Sequence, residues 1–160
     1  RILKIKGGLD PNEDVRRVAA LAHDLRLEAV QLHGEETARD LAALRPLLPE
    51  GGEIWRALRV RDQVPALAIP GADRVVLDAH STAARGGTGH AFDWSLLQGH
   101  DLGRVLLAGG ITPETAAEAD RVGAWGLDLS SGVEEAPGKK SVSRLGALFA
   151  ALRGQGRNNR

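Results

Sequence analysis

The stretch GRVLLAGGITPETAAEADRVGAWGLDLSSG, residues 103–132, decides the fold. A short apolar run ends in Gly109-Gly110. A Thr-Pro-Glu start follows, and Thr112 and Pro113 read as the N-cap and first residue of an alanine-rich helix over 112–123. A second apolar run, within a strand expected over 124–132, breaks into Ser130-Ser131-Gly132. Strand, bare loop, helix, strand, bare loop: this is a βαβ unit whose strands both stop at residues with little or no side chain.

The same alternation extends in both directions. Strands are expected over 1–6, 28–33, 53–60 and 73–79, and helices over 11–26 (with Asp10 as N-cap), 35–48, weakly over 62–68, and over 93–99 behind Asp93. Residues 81–92 read as a loop, and 140–154 as a closing helix with Ser141 or Ser143 near its start. About six βα units result, each taking roughly 27 residues, close to the ~30 of a βαβ module. Such alternation argues a parallel sheet with helical crossovers. No G-x-G-x-x-G follows the first strand, against a dinucleotide-binding open sheet. Polar and glycine residues sit instead at the C-terminal ends of strand after strand, as the face of a barrel requires. The expected fold is α/β, of the TIM (β/α)8-barrel type, incomplete at about six units. Residues 1–154 are read as one partial barrel domain and 155–160 as a polar tail.

Composition narrows the function. Twenty-one basic and 21 acidic residues give a formal charge of zero, with the two signs mixed along the chain. That offers no electrostatic case for nucleic acid or an anionic membrane. No apolar run approaches the roughly 18 residues of a membrane span. A soluble, cytoplasmic protein is expected. There is no cysteine, hence no disulfide, thiolate metal site or cysteine nucleophile. No His/Asp/Glu group has metal-ligand spacing.

The strand ends carry the chemistry. Gly109, Gly110, Ser131 and Gly132 could present backbone N–H groups to an anion, because small residues allow close approach. In many barrels the last two βα loops bind phosphate; ordinary turn glycines are the competing reading. Lys139 and Lys140 are solvated in the simplest reading, or one of them leans toward this loop. Asp78, ending the apolar run Val75-Val76-Leu77, is either a general acid or base or a loop cap. Gln31 and His33 close another strand; His33 either contacts substrate or merely terminates the strand. Asp128 is in phase with Ser130 and either binds substrate or pairs with an arginine.

Four segments together resemble one family: AVQLHGEE (29–36), VVLDAHSTAARGGTGHAFDWSLL (75–97), VLLAGGITPETAAEA (105–119) and GLDLSSGVEEAPGKKS (126–141). In order and spacing they are similar to phosphoribosylanthranilate isomerase of tryptophan biosynthesis. The resemblance runs from about residue 28 to 150. It implies a (β/α)8 barrel that performs an Amadori rearrangement of an aminoaldose phosphate, without cofactor or metal. It implies Asp78 as general acid, Gln31, His33 and Asp128 as substrate-binding residues, and Gly109, Gly110, Ser131 and Gly132 as phosphate ligands. The ligand is then a small phosphorylated sugar joined to anthranilate. The family's base is a cysteine in a K-I-C-G sequence, and this chain has none. RILKIKG matches the family's third strand better than its first, so the first two βα units are expected to be missing. Open strand edges then invite self-association. A phosphate-binding fragment without catalysis is the alternative. Another phosphate-binding barrel, such as an epimerase or an indole-forming synthase, is the weaker one, because the G-G-x-G-x-x-F-D-W loop is absent from those families.

Overall fold

Apolar runs flanked by glycine and charge become short strands, and the alanine- and leucine-rich runs between them become helices. The computed structural model describes residues 1–6, 14–60, 63–78 and 93–154. Its larger sheet holds β1 (Ile2–Lys6), β2 (Ala29–His33), β3 (Glu53–Arg59), β4 (Arg74–Asp78), β5 (Val105–Ala108) and β6 (Gly126–Asp128). The strands follow chain order. β1 with β2, β2 with β3, and β5 with β6 pair in parallel. The helices are α1 (Asp14–Asp24), α2 (Ala38–Leu44), α3 (Ala116–Arg121) and α4 (Val142–Arg153). The architecture is an incomplete β/α barrel. The expected N-cap Asp10, the loop 81–92 and the tail 155–160 lie outside the described residues. Among the described residues no helix is long and apolar enough to cross a membrane.

The chain forms two compact units. The first comprises residues 1–58 and 66–76. Val15, Val18, Ala19 and Ala22 recur at helical spacing and turn one face of α1 inward. They pack with Leu41 and Leu44 of α2 and with Val30, Leu32 and Ile54 of the sheet. Thr37 begins α2 through a capping box: the Asp40 amide donates to its hydroxyl, and Asp40 Oδ2 accepts the Thr37 amide at 2.7 Å. The helix expected to reach residue 48 ends at Leu44. Pro46 lacks the N–H that would continue the ladder, and residues 45–47 tighten into a 3₁₀ turn. No helix forms over residues 63–68, against expectation. Pro65 removes a donor there and biases its predecessor toward extended backbone.

The second unit comprises residues 59–65 and 77–160. Val105, Leu107, Trp94, Leu97, Ala116, Ala119, Val133 and Leu148 are buried in it. Asp93 caps as expected, accepting the Ser95 amide at 2.9 Å, but the element behind it is a 3₁₀ turn over Trp94–Leu97 rather than a helix to 99. β6 stops at Asp128, short of the expected 132. A 3₁₀ turn (Ser131–Val133) and an antiparallel hairpin, β7 (Glu134–Ala136) and β8 (Lys139–Lys140), follow. The turn residues Pro137-Gly138, with Gly138 at φ +78°, carry the signature of a type II turn. Between β6 and α4 lies an apolar groove of about 860 Å³, lined by Leu127, Leu129, Leu145, Leu148, Phe149 and Leu152.

Candidate active site

In the first unit β2 presents two candidates. Val30 and Leu32 belong to the core under α1 and α2, so strand alternation turns Gln31 and His33 to the other face. Cα register sets Gln31 beside Lys4 and Trp55, and His33 beside Lys6. Gln31 is only 5% exposed, and its Nε2 makes no hydrogen bond among the described residues. A buried amide donor without a partner is costly, which suits a group held ready for an acceptor on a ligand.

In the second unit the two bare loops meet. Gly109 (φ +82°) and Gly110 (φ +70°) both adopt left-handed backbone, which glycine reaches without strain. Gly132 packs so closely on the first loop that a Cβ there would lie 1.9 Å from the Ile111 carbonyl oxygen. The expected helix start at Thr112 is not where α3 begins. The Thr112 amide donates to Thr115 Oγ1 at 2.9 Å, and that hydroxyl donates to Gly110 O at 3.0 Å. Thr115 thus ties the glycine turn closed, and α3 starts one turn later, at Ala116. Competition between two threonines concealed this in the sequence.

The second loop is held by its carbonyls. Lys140 Nζ donates to Ser130 O at 2.8 Å, Arg144 Nε to Gly132 O at 3.0 Å, and the Ser141 amide to Val133 O at 2.8 Å. Lys140 therefore leans on the loop, while Lys139 pairs with Glu135. Ser141 is the N-cap of α4, accepting from the Arg144 amide at 3.3 Å. Within the loop the Val133 amide donates to Ser130 O at 3.3 Å, and the Ser130 hydroxyl donates to Glu134 Oε1 at 3.3 Å. Lys140 is engaged with a carboxylate there: its hydrogen bond, then the Gly138 amide, hold the Glu134 carboxyl below the usual carboxylate range. Glu114 is likewise lowered, first by the Thr112 hydroxyl and more weakly by Arg144.

Two carboxylates complete the candidates. Asp78 ends β4, half-buried, and its carbonyl accepts the Val60 amide at 3.3 Å. Asp128 ends β6, half-buried, opposite Ala108. Leu127 and Leu129 line the groove beneath α4, so alternation puts Asp128 on the other face. The structure thus seats Gly132 against Ile111, the residue after Gly110, and puts Gln31 and His33 on one sheet face. Asp78 and Asp128 each stand at the C-terminal end of a strand. Sequence reasoning missed Thr115 and Arg144; a helix start with a second threonine three residues on was the available signal for Thr115.

Comparison with known proteins bears on what this arrangement serves. Residues 6–151 match the family model of N-(5′-phosphoribosyl)anthranilate (PRA) isomerase. The chain is 48% identical over 146 residues to the tryptophan biosynthesis protein TrpCF of Vibrio parahaemolyticus, covering 91% of this chain and 30% of that protein. The chain thus spans less than a third of the length of the curated relatives it matches. A solved phosphoribosyl anthranilate isomerase from Thermus thermophilus is 33% identical, with a TM-score of 0.69 over 96% of this chain and 70% of that one. Another solved isomerase, in complex with reduced 1-(o-carboxyphenylamino)-1-deoxyribulose 5-phosphate, is 25% identical, with a TM-score of 0.67 over 96% and 71%.

Proposed function

We propose, since the chain belongs to the N-(5′-phosphoribosyl)anthranilate isomerase family, that it carries the phosphate-binding and proton-donating part of an enzyme of tryptophan biosynthesis. The reaction is the isomerisation of N-(5′-phosphoribosyl)anthranilate to its 1-deoxyribulose phosphate isomer. Asp78 protonates the furanose ring oxygen, which becomes the C4 hydroxyl as the ring opens to a Schiff base. A base then removes the C2 proton. The resulting enolamine gives up its C2 hydroxyl proton and gains one at C1, leaving the ketone. The proton given by Asp78 and the one taken by the base balance over the cycle and no electrons leave the substrate, so the sum involves no oxidant or reductant.

Gly109, Gly110, Ser131 and Gly132 hold the phosphate in this reading, with Gln31, His33 and Asp128 against the rest of the substrate. The observation that supports it is the seating of Gly132 on the Ile111 carbonyl, which brings the two small-residue loops together. The cytoplasm is its expected place of action. The base is the missing part: the 160 residues contain no cysteine. That same fact favours a second reading, in which this polypeptide binds phosphate without turning substrate over. Strand ends at β1 and β6 support self-association in either case.

Thermal unfolding tests the anion site. Inorganic phosphate or ribose 5-phosphate at 100 times its dissociation constant should stabilise the chain by about 2.7 kcal/mol. Gly110→Asp adds bulk and negative charge and should abolish the shift. Equal shifts in both proteins would refute the site.

A further inference from the structure

Arg56 and Glu36 form a buried ion pair in the first unit, each residue only 7% exposed. Register sets Arg56 beside Leu32, and both Leu32 and Ile54 belong to the core beneath α1 and α2. Arg56 therefore leaves β3 on the helix side of the sheet, where an apolar residue would serve packing. Taking two charges out of water is costly, and an apolar pair of similar volume is often as stable. What the pair holds beyond itself is therefore informative.

It holds Gly34. Glu36 Oε2 accepts the Gly34 amide at 3.1 Å and also accepts from Arg56 Nη1. The same Nη1 donates to the Gly34 carbonyl at 3.2 Å. Both polar groups of residue 34 are thus gripped by one ion pair. Gly34 directly follows His33, the last residue of β2. On one side of His33 the strand ladder fixes the backbone; on the other, where the ladder stops, the pair does. A glycine there would otherwise leave the chain its widest choice of backbone angles.

We propose that Glu36 and Arg56 are positioning residues, which lock the peptide after His33 and so fix the direction in which the His33 imidazole leaves the sheet. The inference rests on the reading of His33 as a substrate contact. Arg56 lies on the opposite sheet face from Gln31 and His33 and acts through Gly34. A site group displaced by about 1 Å can cost about 10²-fold in rate, which is reason enough for a rigid anchor at a strand end.

Imidazole and amide NMR of the whole chain tests this. In Arg56→Met, Gly34 amide exchange should quicken by about tenfold or more. The His33 ring signals and their titration midpoint should move, while the methyl signals of Leu41 and Leu44 stay in place. Arg56→Lys keeps the charge beside Glu36 but loses the fork, and should move them less. If Arg56→Met fails to fold, the neutral pair Glu36→Gln/Arg56→Gln replaces it. Unmoved His33 signals in a folded variant would overturn the proposal. Binding of the reduced carboxyphenylamino-deoxyribulose phosphate separates the two readings. If His33→Ala leaves that affinity unchanged while the His33 signals of Arg56→Met move, the clamp stands and His33 is no substrate contact. If His33→Ala weakens binding and Arg56→Met moves neither signals nor affinity, the clamp fails and the contact stands.

Discussion

A methyl group on Gly132 would meet the Ile111 carbonyl oxygen at 1.9 Å, with the Ile111 carbonyl carbon at 2.9 Å behind it. Backbone cannot yield as a flexible side-chain tip would, so Gly132→Ala must part the two loops. Overpacking of this kind costs about 1–3 kcal/mol, and the anion cradle should be lost with it. The expected outcome is a lower melting temperature together with no further stabilisation by phosphate. Retention of the phosphate shift would mean that the second loop does not contribute. Asp78 poses a different question at the same scale, since it is either an acid or a loop cap. In an active form of the enzyme, Asp78→Asn should lower kcat by about 10²–10⁴ while affinity for a product analogue changes far less. Turnover within a factor of about two of the parent would leave only the cap.

Glu53, at the start of β3, shows the same logic in an element. Arg74 reaches it with two donors, at 2.8 and 2.9 Å, and the Trp55 indole donates at 2.6 Å. Hydrogen bonds from Arg74 first, then from Trp55, hold its carboxyl below the usual carboxylate range. A lowered folded-state pKa means stability that is complete above the unfolded value of ~4.3 and lost as pH falls through the folded one. Urea unfolding followed by tryptophan fluorescence should therefore show stability dropping on the acid side of that value. Glu53→Gln should be about 1–2 kcal/mol less stable at pH 7 and show a shallower acid slope; parallel slopes would deny the network its role. None of this was legible from sequence, because the partners of Glu53 are fixed by strand pairing. The strands themselves were legible, since apolar runs such as Val75-Val76-Leu77 have few other uses, and so was the place of His33 and Asp78 at strand ends. The hairpin of Glu134–Ala136 and Lys139–Lys140 was not: it is built from residues with poor strand preference, held by Lys140–Glu134 and Lys139–Glu135 pairs. Arg56 within β3 was equally mute, its meaning depending on Glu36 in another segment.

At the scale of the molecule the question is whether 160 residues suffice for turnover. The chain matches about 70% of the Thermus isomerase, and it holds no cysteine. Isomerisation needs a base within about 3 Å of the C2 proton. Independently, the sheet order puts β1 and β6 at its ends among the described residues, and a strand edge without a neighbour is a template for pairing with another chain. Trp125 and Phe149, half exposed at 48% and 53%, line the groove between β6 and α4 and leave apolar surface there. The polypeptide by itself should therefore show no phosphoribosylanthranilate isomerase activity and fail to complement a tryptophan auxotroph. Its sedimentation coefficient should rise with concentration. Robust activity from a purified monomer of residues 1–160 would overturn both the assignment of the base and the argument from the open edges.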